Sequence, residues 1–146
     1  MGLRDDLVSL PDIDHEIIDW LVAINSYRGV CTLSSCAGHN NHYGQPYLVL
    51  AFFKGSPFYR FCRELSPVRS DVGPVLTIFP DKGWVAVFPP LKDVSFERGS
   101  RVPPERLPTV RRELFERVIS TLEKVIERKA SEKEIELKTK VLIGEH

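Results

Sequence analysis

The sequence predicts a single α+β domain, spanning residues 1–146, in which a mostly antiparallel sheet packs against helices. Apolar residues recur at three- and four-residue steps near each end of the chain, which is typical of amphipathic helices. Between these segments lie short apolar runs separated by Gly, Pro and Asp, which is typical of strands joined by turns. With 146 residues, 42% of them hydrophobic, the chain is long enough to bury one core.

The first predicted helix covers about residues 12–27. Asp12 or Asp14 is a suitable N-terminal cap, and Gly29 is a natural C-terminal stop because it has no Cβ to oppose the left-handed conformation. The apolar stripe that defines this helix consists of Ile13, Ile17, Trp20, Leu21 and Ile24.

Four segments are predicted strands. Val30–Leu33 is a short strand, and the nearly continuous apolar run 47–53 is typical of a strand covered on both faces. The runs 75–79 and 84–88 flank Pro80–Gly83, a turn with an Asp and a Gly, and therefore predict a hairpin.

Two further helices are predicted. Phe58–Leu65 forms a short helix with Ser56 as N-cap and Pro57 at its first position. A long amphipathic helix near the C-terminus spans about 108–129. Its apolar stripe consists of Leu107, Val110, Leu114, Val118, Leu122 and Val125, widened by Phe115, Ile119 and Ile126.

The end of the chain has two interpretations. Ser131 followed by Glu134 is a capping-box pattern, which predicts a second short helix after the long one. Alternatively, Lys140–Ile143 ends the chain as a strand.

Composition excludes several classes of protein. Twenty basic and twenty acidic residues give a formal net charge of zero, so the global charge does not support a tRNA partner. No apolar run approaches the roughly 20 residues of a membrane span, so no membrane partner is expected. Three cysteines do not suggest a disulfide framework, and a cytoplasmic location is expected. A homodimer remains open, since the final amphipathic helix can pack in its own core or against a second copy.

Most chemistry-bearing residues lie between Cys31 and Pro46, in a segment predicted to be a loop. Its stretch Ser34–Gly38 has small side chains, so successive N–H groups can converge on an anion. In this interpretation Ser34, Ser35 and Gly38 donate hydrogen bonds, and Cys36 lies at the pocket floor. The alternative is a tight connection in which Ser and Gly only satisfy turn geometry.

Two other chemistries remain open for this loop. Cys31, Cys36, His39 and His42 are four zinc-type ligands within twelve residues, although the two residues between the histidines are fewer than usual. Cys36 is also a candidate catalytic nucleophile, with His39, His42 or His15 as its base. His42 is in addition a candidate ligand-binding residue.

Other notable residues have structural explanations. Cys62, Trp20 and Trp84 lie at apolar positions and are expected in the core, with shielding of the loop as the alternative for either tryptophan. The pair Arg111-Arg112 is expected on a solvated helix face, with a phosphate-contacting patch as the alternative.

The segments Ile17–Asn25 and Thr32–Gly38 resemble the N-terminal region of the wybutosine-synthesis methyltransferase family. In that family a helix ending in Asn leads into a Thr-Ser-Ser-Cys-Ser/Ala-Gly-Arg loop. Its members are α/β proteins that methylate a modified guanosine of phenylalanine tRNA with S-adenosylmethionine. The resemblance implies that Ser34, Ser35, Cys36 and Gly38 line a ligand pocket.

The chain departs from this pattern at two positions. His39 stands where the family has Arg, and Leu33 where it has a Thr or Ser. Because histidine is charged only below its pKa, the affinity of this pocket for an anion would depend on pH near neutrality.

Together these observations predict a small cytoplasmic protein with a pocket for an anionic or nucleotide-like ligand, with Cys36 and His39 as catalytic candidates. The resemblance implies a role in tRNA modification and S-adenosylmethionine as cofactor, with zinc as the alternative. The competing hypothesis is a non-enzymatic structural or protein-interaction module in which the loop is structural or zinc-bound.

Overall fold

The computed structural model describes residue 4 and residues 17–36, 46–65, 75–89 and 104–143. Within them, four strands form one antiparallel sheet in the order β1-β2-β4-β3. The strands are β1 Val30–Cys36, β2 Tyr47–Phe52, β3 Val75–Phe79 and β4 Trp84–Phe88. The helices are α1 Ile18–Asn25, α2 Phe58–Leu65, α3 Leu107–Val125 and α4 Glu132–Ile143, with a 3₁₀ turn at Pro104–Arg106. The α+β class and the long C-terminal helix are confirmed.

The β3–β4 hairpin and α2 have the predicted bounds. Gly83, the last residue of the hairpin turn, has a positive φ of +69°.

The second strand differs from its prediction. Its residues alternate between buried and half-buried, so only one face of β2 is fully covered. A continuous apolar run therefore did not require two buried faces here.

The first strand extends three residues beyond its prediction. Residues 34–36 belong to β1, because their backbone pairs antiparallel with residues 47–49 of β2. The pairing register shifts between Thr32 and Ser34, which leaves Leu33 as a bulge. The polar composition of residues 34–36 had favoured a loop, but backbone pairing does not depend on apolar side chains.

One hydrophobic cluster joins the helices to the sheet. It contains buried residues from α1, α2 and α3 and from β1, β2 and β4. The predicted stripe of α3 is buried throughout. Cys62 is buried as predicted, and Trp20 is half-buried, with its ring stacked on Phe115 at 5.3 Å between centroids. The core prediction for Trp84 is wrong, because this residue is 36% exposed.

Two helices end earlier than their periodicity predicts, because the segments that follow them pair with each other. Arg28 N–H donates to Arg128 O at 3.0 Å, and Ala130 N–H donates to Ser26 O at 2.7 Å. Between these bonds Tyr27 forms a β-bridge with Lys129, whose ammonium lies 3.8 Å from the centre of the Tyr27 ring. This extended pairing is incompatible with helix, so α1 and α3 stop before it.

The end of the chain is helical, in agreement with the capping box. Glu134 N–H donates to the Ser131 hydroxyl at 3.2 Å, and α4 continues to Ile143. The alternative of a strand at Lys140–Ile143 is therefore wrong. Among the described helices, none is long and apolar enough to cross a membrane.

Gly29 joins α1 to β1 in a conformation that only glycine adopts without strain, at φ +84°. A Cβ at this position would lie 2.1 Å from Ser56 Oγ, whose hydroxyl donates to Gly29 O at 3.0 Å. Gly55 has a similar φ of +89°, but a Cβ there would meet no atom within 4 Å.

We predict that Gly29→Ala lowers the free energy of unfolding by about 2–3 kcal/mol, since it adds the loss of a hydrogen bond to backbone strain. Gly55→Ala, the matched control, should cost only about 1 kcal/mol, from backbone strain alone. Urea denaturation measures both. Equal losses in the two variants would contradict this account of Gly29.

Candidate functional site

The structure places part of the predicted loop site at one end of β1. Ser34, Ser35 and Cys36 are consecutive residues of this strand, and Ser35 is half-buried opposite Leu48. The remaining predicted site residues, Gly38, His39 and His42, lie outside the described residues. That Cys36 and His39 face the same cleft therefore stays a prediction.

Cys31, the first cysteine of the zinc hypothesis, is buried in β1 at the opposite end from Cys36. Burial raises the pKa of its thiol to about 11, an effect larger than those of the nearby charges of Lys138 and Glu134. A protonated buried thiol is a poor zinc ligand. Within the described segments, no three His, Cys, Asp or Glu side chains are grouped as a metal site.

Two residues of the family resemblance are bonded to each other. Asn25 Nδ2 donates to Thr32 Oγ1 at 2.9 Å and to Leu21 O at 2.8 Å, and Asn25 Oδ1 accepts from Thr32 N–H at 3.1 Å. Both side chains are buried. Asn25 therefore links the end of α1 to β1, a structural role that explains the helix-Asn and Thr-strand pattern without a ligand.

A groove lies at the other end of the β1–β2 pair, where Gly29 precedes β1 and Phe53 follows β2. Its volume is about 790 Å³, within the range of small-molecule sites. Four cationic side chains line it: Arg28, Lys54, Arg60 and Arg128, all of them exposed. The other lining residues are Gly29, Phe53, Gly55, Ser56, Pro57, Val125, Ile126, Glu127 and Glu134.

The backbone wall of this groove is hydrogen-bonded on both sides at Gly29. Gly29 N–H donates to Glu134 Oε2 at 2.9 Å, while Gly29 O accepts from Phe53 N–H at 2.8 Å and from the Ser56 hydroxyl at 3.0 Å. Three parts of the chain therefore meet at one residue. Ser56 was predicted to cap α2, and its hydroxyl instead donates to Gly29 O.

Glu134 is the one groove carboxylate whose charge has a direct partner among the described contacts. Lys138 Nζ lies 2.9 Å from Glu134 Oε2 and also donates to Asn25 O at 2.8 Å and Tyr27 O at 2.7 Å. The Lys138 side chain is fully buried. All three ammonium protons thus have an acceptor, which is what allows a charge at this depth.

The pKa values of Glu134 and Lys138 both differ from the ordinary values of these side chains. Burial would raise the pKa of Glu134, but hydrogen bonds from Gly29 and Lys138, together with the charges of Lys138 and Arg28, lower it overall. Burial lowers the pKa of Lys138, and the Glu134 charge opposes that change. With Glu134 balanced by Lys138, the remaining groove charges are four cations and Glu127.

The groove and the Ser34–Cys36 stretch are separated by the length of β1. Val30 pairs with Phe52 at the groove end and Cys36 with Tyr47 at the other end, about 20 Å away for seven strand residues. Sequence reasoning missed the groove because its cations lie in segments that are far apart along the chain. The basic pair that it did notice, Arg111-Arg112, is not among the lining residues.

Comparison with known proteins gives no relative for this chain. No protein-family model, no curated protein and no solved structure matches it.

We predict that Glu134→Gln destabilises the protein at pH 7 by about 3 kcal/mol, because it leaves the Lys138 ammonium buried without a counter-charge. The pKa of Glu134 in the folded state lies below its ordinary 4.5, so the carboxylate stabilises the fold fully above that pH. This contribution is lost as the pH falls through the lowered pKa.

The difference between wild type and Glu134→Gln should therefore shrink below a pH of about 4.5, as measured by chemical denaturation at a series of pH values. Glu136→Gln, an exposed change on the same helix, is the control and should alter stability by less than about 0.5 kcal/mol. A difference independent of pH would count against this electrostatic role of Glu134.

Proposed function

We propose that this protein binds a small anionic ligand in the groove between Gly29, α2 and the end of α3. The observation that carries the proposal is the charge of the groove. Four cationic side chains line it, and of its two carboxylates Glu134 is paired with Lys138, which leaves Glu127 to oppose the cations. The protein as a whole has zero net charge. A local excess of cations in a neutral protein is the expected signature of a site for an anion.

The geometry favours phosphate or carboxylate groups over a diffuse polyanion. Arg28, Arg60 and Arg128 carry planar guanidinium groups, which form paired hydrogen bonds to such oxygens. Their backbones are fixed by the Arg28–Arg128 pairing and by α2, whereas their side chains are exposed and able to adapt. The fixed backbone lowers the conformational cost of binding, although each arginine side chain loses rotamer freedom when a ligand immobilises it.

Arg60 offers the sharpest test, since Arg63 is another exposed arginine on the same helix and does not line the groove. We predict that pyrophosphate binds the wild-type chain and raises its melting temperature. Arg60→Glu should weaken pyrophosphate binding about tenfold or more, because an attractive charge-assisted bond becomes a repulsion.

Arg63→Glu has the same change of net charge but replaces a side chain that does not line the groove, so it should weaken pyrophosphate binding less than Arg60→Glu does. The titrations are run at about 0.15 M salt, which reduces the longer-range effect of the added charge. Isothermal titration calorimetry measures the three affinities. The proposal fails if pyrophosphate does not bind, or if the two variants lose affinity equally.

The other end of β1 is the second candidate, for the activity that the family resemblance implies. We propose it as a site for S-adenosylmethionine-dependent tRNA modification that uses Ser34, Ser35, Cys36 and His39. The bulge at Leu33 favours this, because bulges are common beside active sites, where they redirect the residues that follow. Its described residues, Ser34–Cys36, lie at the other end of β1 from the groove, so this proposal does not depend on the first.

We predict that S-adenosylmethionine raises the melting temperature, since a ligand that binds the native state stabilises it. If His39 contacts an anionic group, this affinity should decrease from about pH 6 to pH 8, and His39→Gln should abolish the pH dependence. Absence of any stabilisation would reject this candidate, and stabilisation by zinc alone would favour the non-enzymatic alternative.

A further inference from the structure

Among the described residues that line the groove, one is aromatic: Phe53, which is 41% exposed. The backbone that carries it is fixed. Phe53 N–H donates to Gly29 O at 2.8 Å, and Phe53 O accepts from Ser56 N–H at 3.0 Å. An exposed ring on a fixed backbone can form a contact surface without a large loss of conformational freedom.

Its neighbour Phe52 shows that the core does not account for this ring. Phe52 is buried, and its ring centre lies 5.0 Å from that of Phe61 and 5.6 Å from that of Phe58. Phe53 is not a member of the core cluster. Of two consecutive phenylalanines, one stabilises the core and the other lies in the groove beside the cations.

A simple inorganic anion would use only part of this surface. Besides the four cations, the groove wall includes the apolar side chains of Phe53, Pro57 and Ile126. A ligand with both a planar ring and phosphate groups would contact both kinds of surface. Stacking of a nucleobase on an aromatic side chain is a common mode of recognition that tolerates any base.

We infer that the ligand class of the groove is a nucleoside phosphate, with its base against the Phe53 ring and its phosphates on the arginines. This inference rests on the proposed anion-binding function and names the second half of the ligand. Since all four bases have a π-face, the groove should bind nucleotides with little preference among bases.

The test compares pyrophosphate, ADP and adenosine as probes on the 146-residue chain by isothermal titration calorimetry. ADP should bind about tenfold or more tightly than pyrophosphate, from the contribution of one stacked base. Phe53→Ala should remove this advantage and leave pyrophosphate affinity unchanged. Phe53→Tyr, which keeps the aromatic face, should retain it.

Phe79→Ala is the matched control, because Phe79 is similarly exposed, at 44%, but does not line the groove. It should leave both affinities unchanged. If Phe53→Ala fails to fold by circular dichroism, Phe53→Leu replaces it, since leucine keeps the apolar bulk but has no ring.

The outcomes separate the two proposals. Equal affinities of wild type for ADP and pyrophosphate, or an ADP advantage that persists without the Phe53 ring, would overturn the nucleotide assignment and leave anion binding intact. Failure of all three probes to bind would overturn both.

Discussion

The buried ammonium of Lys138 is the constraint on which the arrangement of this fold depends. Its three donors meet Asn25 O, Tyr27 O and Glu134 Oε2, so the end of α1, the entry to β1 and helix α4 are held at one point. A charge without water is tolerated only with all its partners in place. Displacing α4 would leave the Lys138 ammonium buried without its hydrogen-bond partners. The free-energy cost of that unpaired charge favours one position of α4 over others.

The same junction determines the shape of the groove. Glu134 receives the Lys138 ammonium and the Gly29 N–H on one oxygen, and the carbonyl of Gly29 then binds Phe53 and Ser56. Hydrogen bonds thus run from a buried charge to the groove wall. The groove wall is formed before any ligand arrives. The cationic side chains that we propose to bind the ligand lie on the surface. A preformed backbone wall is common in small-molecule sites and lowers the conformational cost of binding.

Local patterns in the sequence were sufficient for most elements but not for their ends or for the site. The hairpin 75–88 and the stripe of α3 follow from alternation and helical periodicity, which neighbouring residues encode. Periodicity predicts that α3 continues to about residue 129, but the helix ends at Val125. Ile126 is extended, and residues 128–130 pair with residues 26–28, a contact that local periodicity does not encode. Lys138 was unpredictable in the same way, since a lysine in a charged segment is normally exposed. The cations of the groove come from segments up to 100 residues apart in the sequence. No local sequence pattern predicts that such distant residues lie together.

The Asn25–Thr32 contact changes the interpretation of the family resemblance. A helix that ends in Asn and a strand that begins near Thr can be selected together because their side chains satisfy each other in the core. That part of the pattern specifies how α1 joins β1, and it carries no information about a ligand. The part with chemical content is residues 34–36, which lie beyond the bulge at Leu33 and about 20 Å from the groove. The β1–β2 pair therefore separates two candidate sites, and because the shared pattern is partly structural, similarity there argues for a similar junction before it argues for a similar reaction.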